Sequence, residues 1–513
     1  MKSSDLKEYL KKSVISIIII AIILGFTYGE RLISTSFSID TEIHMYDYVG
    51  DATWWNSLGR WGLVLINKIF FLEPLIIFHS NFFMFIFIIL SSIAYNYLIS
   101  LYIDKKYKET FLKYQFIFPI IFYTNPIFAE QFNFTNQNFA VSLCMFLIPL
   151  LLISFKYIDQ EKNKTKRIIF EIINIFLMSI IFGTYQSLIL LYIASVALIY
   201  FIKCFSENDN NFKWLITNII RFVVSAIIYF VIGKIVGEDN PYLNSGYQDG
   251  FMKVIKNIYE VIISMLKCDS IFYNVSFLIA LVFFVVIFAI LKKEKKINVG
   301  TILGELGLVL SPLYIMIITG VDQYKRTQFN YSFVIGLSFI ILIILINNYK
   351  KLRYIAYSIV ILGTMIAYKQ GVITATLFSG DNIRFEYDRN YAERIVQKIE
   401  EKDWYDKNSE YILLFVGNNS VSSPLIPLKG EVIGSSFFYF DYQYHYGPTQ
   451  RATIFINELG YTNFKKASND DIEELFKDAK KYVKENDIKS FPSDESIINR
   501  DNTIIVKLSD ELD

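Results

Sequence analysis

Between residues 13 and 373 the chain alternates long apolar runs with short polar connections. Runs of about 18–25 apolar residues match the hydrocarbon thickness of a bilayer. In lipid each backbone polar group must be satisfied within its own element, so these runs predict helices. Spans are expected near 13–29, 77–103, 114–128, 138–157, 168–184, 186–203, 214–236, 270–291, 299–318, 331–347 and 354–373, about eleven in all. The third is short and holds Pro119 and Pro126. The stretch 251–267 has the spacing of an interfacial amphipathic helix, with Lys253, Lys256 and Lys267 available to anionic headgroups.

Beyond residue 373 the pattern changes. Asp388 to Lys402 has helical periodicity, 411–417 is a short buried-strand run ending in a turn, and 503–507 is a last strand. Ser468 and Asp471 have the spacing of a capping box for a helix running to about Asn486. The expected fold is therefore a polytopic α-helical membrane protein, residues 1–373, including an external loop at 30–74. A small C-terminal extracytoplasmic α/β domain follows at 374–513. No glycine fingerprint for phosphate accompanies the 411–417 strand, so that domain reads as an acceptor-binding or stabilising module.

Composition agrees. Of 513 residues, 53% are hydrophobic, 17% aromatic and 19% charged, with a mean hydropathy of +0.37. Soluble globular chains run about 45–50% apolar and about 25% charged. A soluble enzyme, a nucleic-acid binder and a disordered scaffold are excluded for the whole chain, and no nucleic-acid partner is expected. The net charge of +1 conceals a split, with 17 Lys and Arg against 25 Asp and Glu from Thr374 onward. Basic clusters at the amino terminus (Lys2, Lys7, Lys11, Lys12), at Lys105–Lys108, Lys162–Arg167, Lys292–Lys296 and Lys350–Arg353 occupy every second connection. By the positive-inside rule they place the amino terminus in the cytoplasm and the acidic C-terminal part outside. Cys144, Cys204 and Cys268 form neither a disulfide framework nor a zinc pattern. The first run has no small-residue cleavage site and reads as a retained span.

The span centres are nearly free of charge, Arg221 and Glu305 being the deeper exceptions, and polar residues gather in the predicted external loops. In the first of these, Asp40 and Glu42 share a face if the backbone is extended. Such an acid can take a proton from an attacking hydroxyl. Two close carboxylates can also push one pKa upward or ligate a divalent ion. Arg60 offers a planar fork for a phosphate oxygen, and Trp54, Trp55 and Trp61 offer interfacial anchors or sugar-stacking faces. The bland alternative is a set of solvated acids beside an aromatic belt, which suits Asp47 and Asp51 better than Asp40 and Glu42. His44 reads as a bystander. Weaker external candidates are Glu130, the Gly183–Gln186 break with Tyr185 and Gln186, and Lys325 with Arg326. Snorkelling to headgroups competes for the last pair.

This order of features resembles the Gtr type II family of bacterial serotype-converting glucosyltransferases. The likeness rests on Ile39-Asp40-Thr41-Glu42 after a first span, then Gly59-Arg60-Trp61. Glu130-Gln131, Tyr185-Gln186, Lys325-Arg326 and a polar tail with Asp388 add to it. It covers 30–373 loosely and does not extend past about 405. The resemblance implies a GT-C-like membrane enzyme in the bacterial cell membrane. It would move glucose or a related hexose from an undecaprenyl-phosphate donor to a surface glycan such as O-antigen or teichoic acid. Asp40 and Glu42 would be catalytic. Arg60, Lys325 and Arg326 would bind the donor phosphate, and Trp61, Glu130, Tyr185 and Gln186 the substrate. No cofactor is called for, and a divalent metal stays open. A polysaccharide polymerase and a lipid-linked oligosaccharide flippase or other transporter are the competing readings. The first lacks its large external loop between spans and the second its polar span centres.

Overall fold

The computed structural model describes residues 3–237, 247, 250–441, 446 and 448–511; Lys2, one of the amino-terminal charges, lies outside them. The chain forms two compact units. One comprises residues 1–33, 52–132 and 137–375, the other 34–51, 133–136 and 376–513.

The first unit is helical. Among the described residues nine helices are long and apolar enough to cross a membrane, so the chain is a multi-pass membrane protein. Two of the eleven expected spans are not among them, each for a physical reason. The 114–128 run is broken at Asn125 and Pro126 into Ile117–Thr124 and Ile127–Phe132, each far shorter than a bilayer crossing. The other, Lys164–Phe182, has the length but carries Lys164, Lys166, Arg167 and Glu171. The acid among them is partnered. Arg221 donates through Nε to Glu171 Oε1 and through Nη2 to Asp159 Oδ1, each at 2.6 Å, so three costly groups are held as one ion cluster. Helix Phe329–Asn347 is apolar on every side and buried throughout, the pattern of a helix surrounded by others. At Gly336 it comes so close to Ile117–Thr124 that an added Cβ would stand 2.7 Å from the Phe118 carbonyl oxygen. Phe212–Val236 instead shows Ile216, Ile220, Ile227 and Phe230 outward. The amphipathic helix forms at Phe251–Lys267 as expected, burying Val254, Val261 and Met265.

The second unit is built on a four-stranded mixed sheet. Its strands are β1 (Tyr411–Val416), β2 (Phe464–Lys465), β3 (Ile497–Arg500) and β4 (Thr503–Lys507), in the order β2-β1-β4-β3. Strand β1 is parallel to β2 and β4, and β3 runs antiparallel to β4. Parallel neighbours require crossovers. Thr449–Glu458, which the sequence reading did not anticipate, lies between β1 and β2 in the chain, and Ile472–Glu485 lies after β2. The latter packs Ile472, Phe476, Ala479 and Val483 onto Leu414, Val416 and Ile505. Its start carries the expected side-chain exchange: Ser468 Oγ accepts from the Asp471 N–H at 3.1 Å and donates to the Asp471 carboxylate at 2.6 Å. The expected helix at 388–402 is the end of a longer one, Arg353–Glu400.

Residues 34–51, read in the sequence as part of the spans' external loop, pack with this unit because Phe37 fills its aromatic core. The Phe37 ring lies 4.9 Å from Phe385, 5.7 Å from Phe437 and 5.8 Å from Phe455. Its carbonyl accepts from Arg384 Nη2 at 3.1 Å. The fully buried Arg384 also pairs with Asp381 at 2.9 Å and Asp388 at 3.3 Å. Asp388 in turn accepts from Ser436 Oγ and the Phe437 N–H. Replacing Arg384 with Leu strands two buried acids, a change that costs about 3–5 kcal/mol. The Arg384→Leu protein should therefore melt well below the parent in detergent, as read by the temperature at which residues 376–511 become susceptible to protease.

Candidate active site

The sequence-nominated residues fall into two groups, one in each unit. In the helical unit, Gly59-Arg60-Trp61-Gly62 lies against the Gly183–Gln186 break. The Gly62 N–H donates to the Gly183 carbonyl at 2.7 Å, and Leu63 N–H adds a second bond at 3.3 Å. The approach requires the glycines: a Cβ on Gly62 would stand 2.3 Å from the Ile180 carbonyl oxygen, and one on Gly183 would meet the Trp61 ring at 2.7 Å. Trp61 donates its indole N–H to the Tyr229 carbonyl at 3.2 Å, and Gln186 donates Nε2–H to the Leu58 carbonyl at 2.6 Å. Trp61 is thus a buried anchor.

This packing brings the Arg60 guanidinium 5.0 Å from the centre of the Tyr185 ring, a cation–π contact that leaves a planar cation beside an aromatic face. From Tyr185 an aromatic chain continues to Phe329 at 6.1 Å and on to Phe128 at 5.4 Å. Phe128 shares helix Ile127–Phe132 with the fully buried Glu130. Phe329 follows the short helical turn Lys325–Thr327. Lys325 pairs with Asp322 at 2.9 Å and sits 5.2 Å from the Tyr273 ring, while Arg326 lies 4.3 Å from the Tyr324 ring. The aromatic path thus runs from the ring beside Arg60 to the helix that carries Glu130, while Lys325 and Arg326 stand against rings of their own.

The second group surrounds helix Thr41–Tyr46, which Asp40 precedes in a left-handed backbone conformation, φ 72°. An aspartate tolerates that region better than most residues do. Here the structure supplies what the sequence reading missed. Arg451, in the first turn of Thr449–Glu458, donates Nη2–H to Asp40 Oδ1 at 2.9 Å and Nη1–H to Glu42 Oε1 at 2.6 Å. It also donates Nε–H to Asp441 Oδ2 at 2.5 Å. A cation in a helix's first turn opposes the macrodipole. That mismatch is the one sequence signal for Arg451, and it is legible only once the helix itself is known.

The two acids differ in environment. The Asp40 side chain is 43% exposed, whereas Glu42 is fully buried. Burial pushes the Glu42 pKa up to about 7; Arg451 opposes the shift and the like charge of Asp40 adds to it. Glu42 Oε2 has no hydrogen-bond partner among the described residues. For Arg451, burial works against the charge, but Asp40, Glu42 and Asp441 hold its pKa above the usual guanidinium value. Asp40 and Arg60 belong to different units, and the guanidinium bound to Asp40 is that of Arg451. Among the described residues no group of three or more His, Cys, Asp and Glu is arranged to hold a metal ion.

The remaining acids of the loop serve locally. Asp47 accepts from the Gly50 N–H at 2.9 Å, and Asp51 pairs with His44 Nδ1 at 2.8 Å, which gives that histidine a structural partner.

Because a side chain at Gly62 would collide with the backbone around Gly183, Gly62→Val should lower the melting temperature of the detergent-solubilised protein by several degrees, while Arg60→Ala leaves it nearer the parent. Thermal unfolding of both variants beside the parent checks this.

No curated protein and no solved structure matches the chain. The family model described as Glucosyl transferase GtrII matches residues 29–345, more than half the chain and all of the helical candidates above. With its many membrane helices and its paired acids after the first of them, this chain belongs to the GtrII glucosyl transferase family.

Proposed function

We propose that this membrane glucosyltransferase moves glucose, or a closely related hexose, from a polyprenyl-phosphate carrier to a hydroxyl of a cell-surface glycan on the outer face of the bacterial membrane. The observation that carries the reading is the acid pair: one half-exposed carboxylate, Asp40, beside one fully buried carboxylate, Glu42, both on Arg451. Carboxylates in unlike environments divide acid and base duties. Asp40 takes the proton from the acceptor hydroxyl as that oxygen attacks the anomeric carbon. Glu42 shares the proton load. The bond to the carrier phosphate breaks, and the departing phosphate takes the negative charge. Arg60, Lys325 and Arg326 stabilise it. Trp61 holds Arg60 in place, while Tyr185, Gln186 and Glu130 serve the donor sugar. One displacement inverts the anomeric centre.

A lipid-linked donor follows from the location. Nucleotide sugars stay in the cytoplasm, whereas a prenyl tail keeps an activated sugar in the bilayer. The alternation of basic connections supports an amino terminus inside and an acid pair outside. The ion cluster of Arg221, Glu171 and Asp159 gives a transporter reading no support, since its members are engaged with one another.

Asp40→Asn retains the shape of the side chain and removes the base. Transfer of radiolabelled glucose from undecaprenyl-phosphate glucose in isolated membranes should fall about a hundredfold or more; transfer at the parental rate would sink the assignment. Glu42 keeps its proton to higher pH than an ordinary carboxyl, so the parental rate should climb as pH rises through about 7. Glu42→Gln should abolish that limb, as a rate–pH profile of the same membranes reports.

A further inference from the structure

We propose that Arg451 is the positioning residue of the acid pair: the C-terminal unit supplies, on helix Thr449–Glu458, a cation that orients Asp40 and Glu42 and sets how they share a proton. This rests on the function proposed above and extends it to a residue that lies outside 29–345.

The geometry is specific to a guanidinium. Three different nitrogens of Arg451 reach three different carboxylates, Nη2 to Asp40, Nη1 to Glu42 and Nε to Asp441. The Phe440 ring lies 5.1 Å from the guanidinium carbon. A lysine ammonium is a point charge and cannot hold three acids in one planar arrangement. With its side chain 13% exposed, Arg451 is poorly screened by water, so its charge acts at nearly full strength on its neighbours.

Two other charged groups beside helix Thr41–Tyr46 have contacts of their own among the described residues. Lys466 stands 5.7 Å from the Tyr46 ring, and His44 faces Asp51. Asn136 Nδ2 donates to the Asp40 backbone carbonyl at 3.4 Å, so it steadies the main chain and leaves the carboxylate to Arg451. Glu42 Oε2, buried and without a hydrogen-bond partner among the described residues, fits an oxygen kept available for a proton.

Without the guanidinium, three like charges share a small volume, and the fully buried one retains its proton to higher pH. Removal therefore has a consequence beyond looser packing. The acid limb of the rate–pH profile moves upward, because Arg451 is the cation that lowers the Glu42 pKa.

The test uses the full-length protein in detergent and in membranes, with Arg451→Ala and Arg451→Lys. Infrared difference titration follows the protonated-carboxyl band of Glu42, identified by its loss in Glu42→Gln. In Arg451→Ala this band should persist to higher pH by about one unit or more, and transfer from undecaprenyl-phosphate glucose should fall at least about tenfold. In Arg451→Lys the titration should return towards the parental position while the rate stays low, and this variant decides the matter should Arg451→Ala fail to fold. A parental titration in both variants overturns the inference. If Asp40→Asn is inactive while Arg451→Ala keeps the parental rate and profile, the inference falls and the proposed function stands. If Asp40→Asn transfers normally, the proposed function falls, and the infrared titration still decides whether Arg451 governs Glu42.

Discussion

Three carboxylates cannot crowd together without a cation among them, and in this chain the cation comes from far along the sequence. Asp40 and Glu42 follow the first helix, whereas Arg451 lies 411 and 409 residues further on. Much of the second unit can be understood as what makes that meeting dependable. Phe37 is seated among Phe385, Phe437 and Phe455, and Phe455 lies on the same helix as Arg451. Arg384 holds the Phe37 carbonyl and, through Asp388, the segment at Ser436 and Phe437 that leads to Asp441. Strand β1 holds the other side of that helix, where Thr449 Oγ1 accepts from the Phe415 N–H at 2.9 Å. The position of the acid pair is thus inherited from an aromatic core and a buried ion cluster that never touch the carboxylates themselves.

The helical unit solves a different problem with similar means. A guanidinium near a bilayer is costly unless it is partnered or lies at a boundary. Arg221 is partnered, by Glu171 and Asp159. Arg60 is held at the end of a short irregular stretch, where two glycines let backbone meet backbone and the Tyr185 ring covers the cation. Irregular backbone is tolerated at membrane depth only when buried in protein. Direct bonding of Gly62 and Leu63 to the Gly183 carbonyl provides that cover and leaves the Arg60 side chain on the aromatic path to Phe329.

What the sequence revealed and what it concealed follow from the range of the forces involved. Hydropathy and charge alternation are local, so nine long helices, the amphipathic helix at Phe251–Lys267, strands β1 and β4 and the Ser468–Asp471 exchange were legible. The 114–128 run misled because its apolar character comes from burial among other helices. Lys164–Phe182 forms as a helix of spanning length and differs from the nine in the charge it carries at its start and at Glu171. Asp40 and Glu42 stand out by their spacing soon after the first span, Arg60 by the planar fork it offers a phosphate, and Tyr185 by its place in a break of the apolar pattern. Their assignment to separate units was not visible, since nothing local shows that Phe37 belongs to a core made by residues 385–455. Arg451 was hidden for the same reason: one of 17 basic residues in an acidic tail carries no mark of its partners. Strand β2, two residues long, and strand β3, with Asn499 and Arg500, are strands only through their neighbours.

The unlike treatment of two neighbouring acids is the strongest argument that the cluster does more than hold the loop. A structural clamp is best served by relaxed backbone and by satisfying every buried oxygen. Here Asp40 is left half-exposed, on a backbone conformation that costs energy unless the surroundings enforce it. Glu42 is withdrawn completely from water yet keeps one oxygen without a partner among the described residues. Each choice sacrifices stability. Together they set one acid that solvent can reach beside one whose pKa burial raises to about 7, joined by a cation bonded to both. Unlike environments at neighbouring carboxylates are the pattern by which acid and base duties are divided, which is why the proposed proton transfer is assigned to this pair.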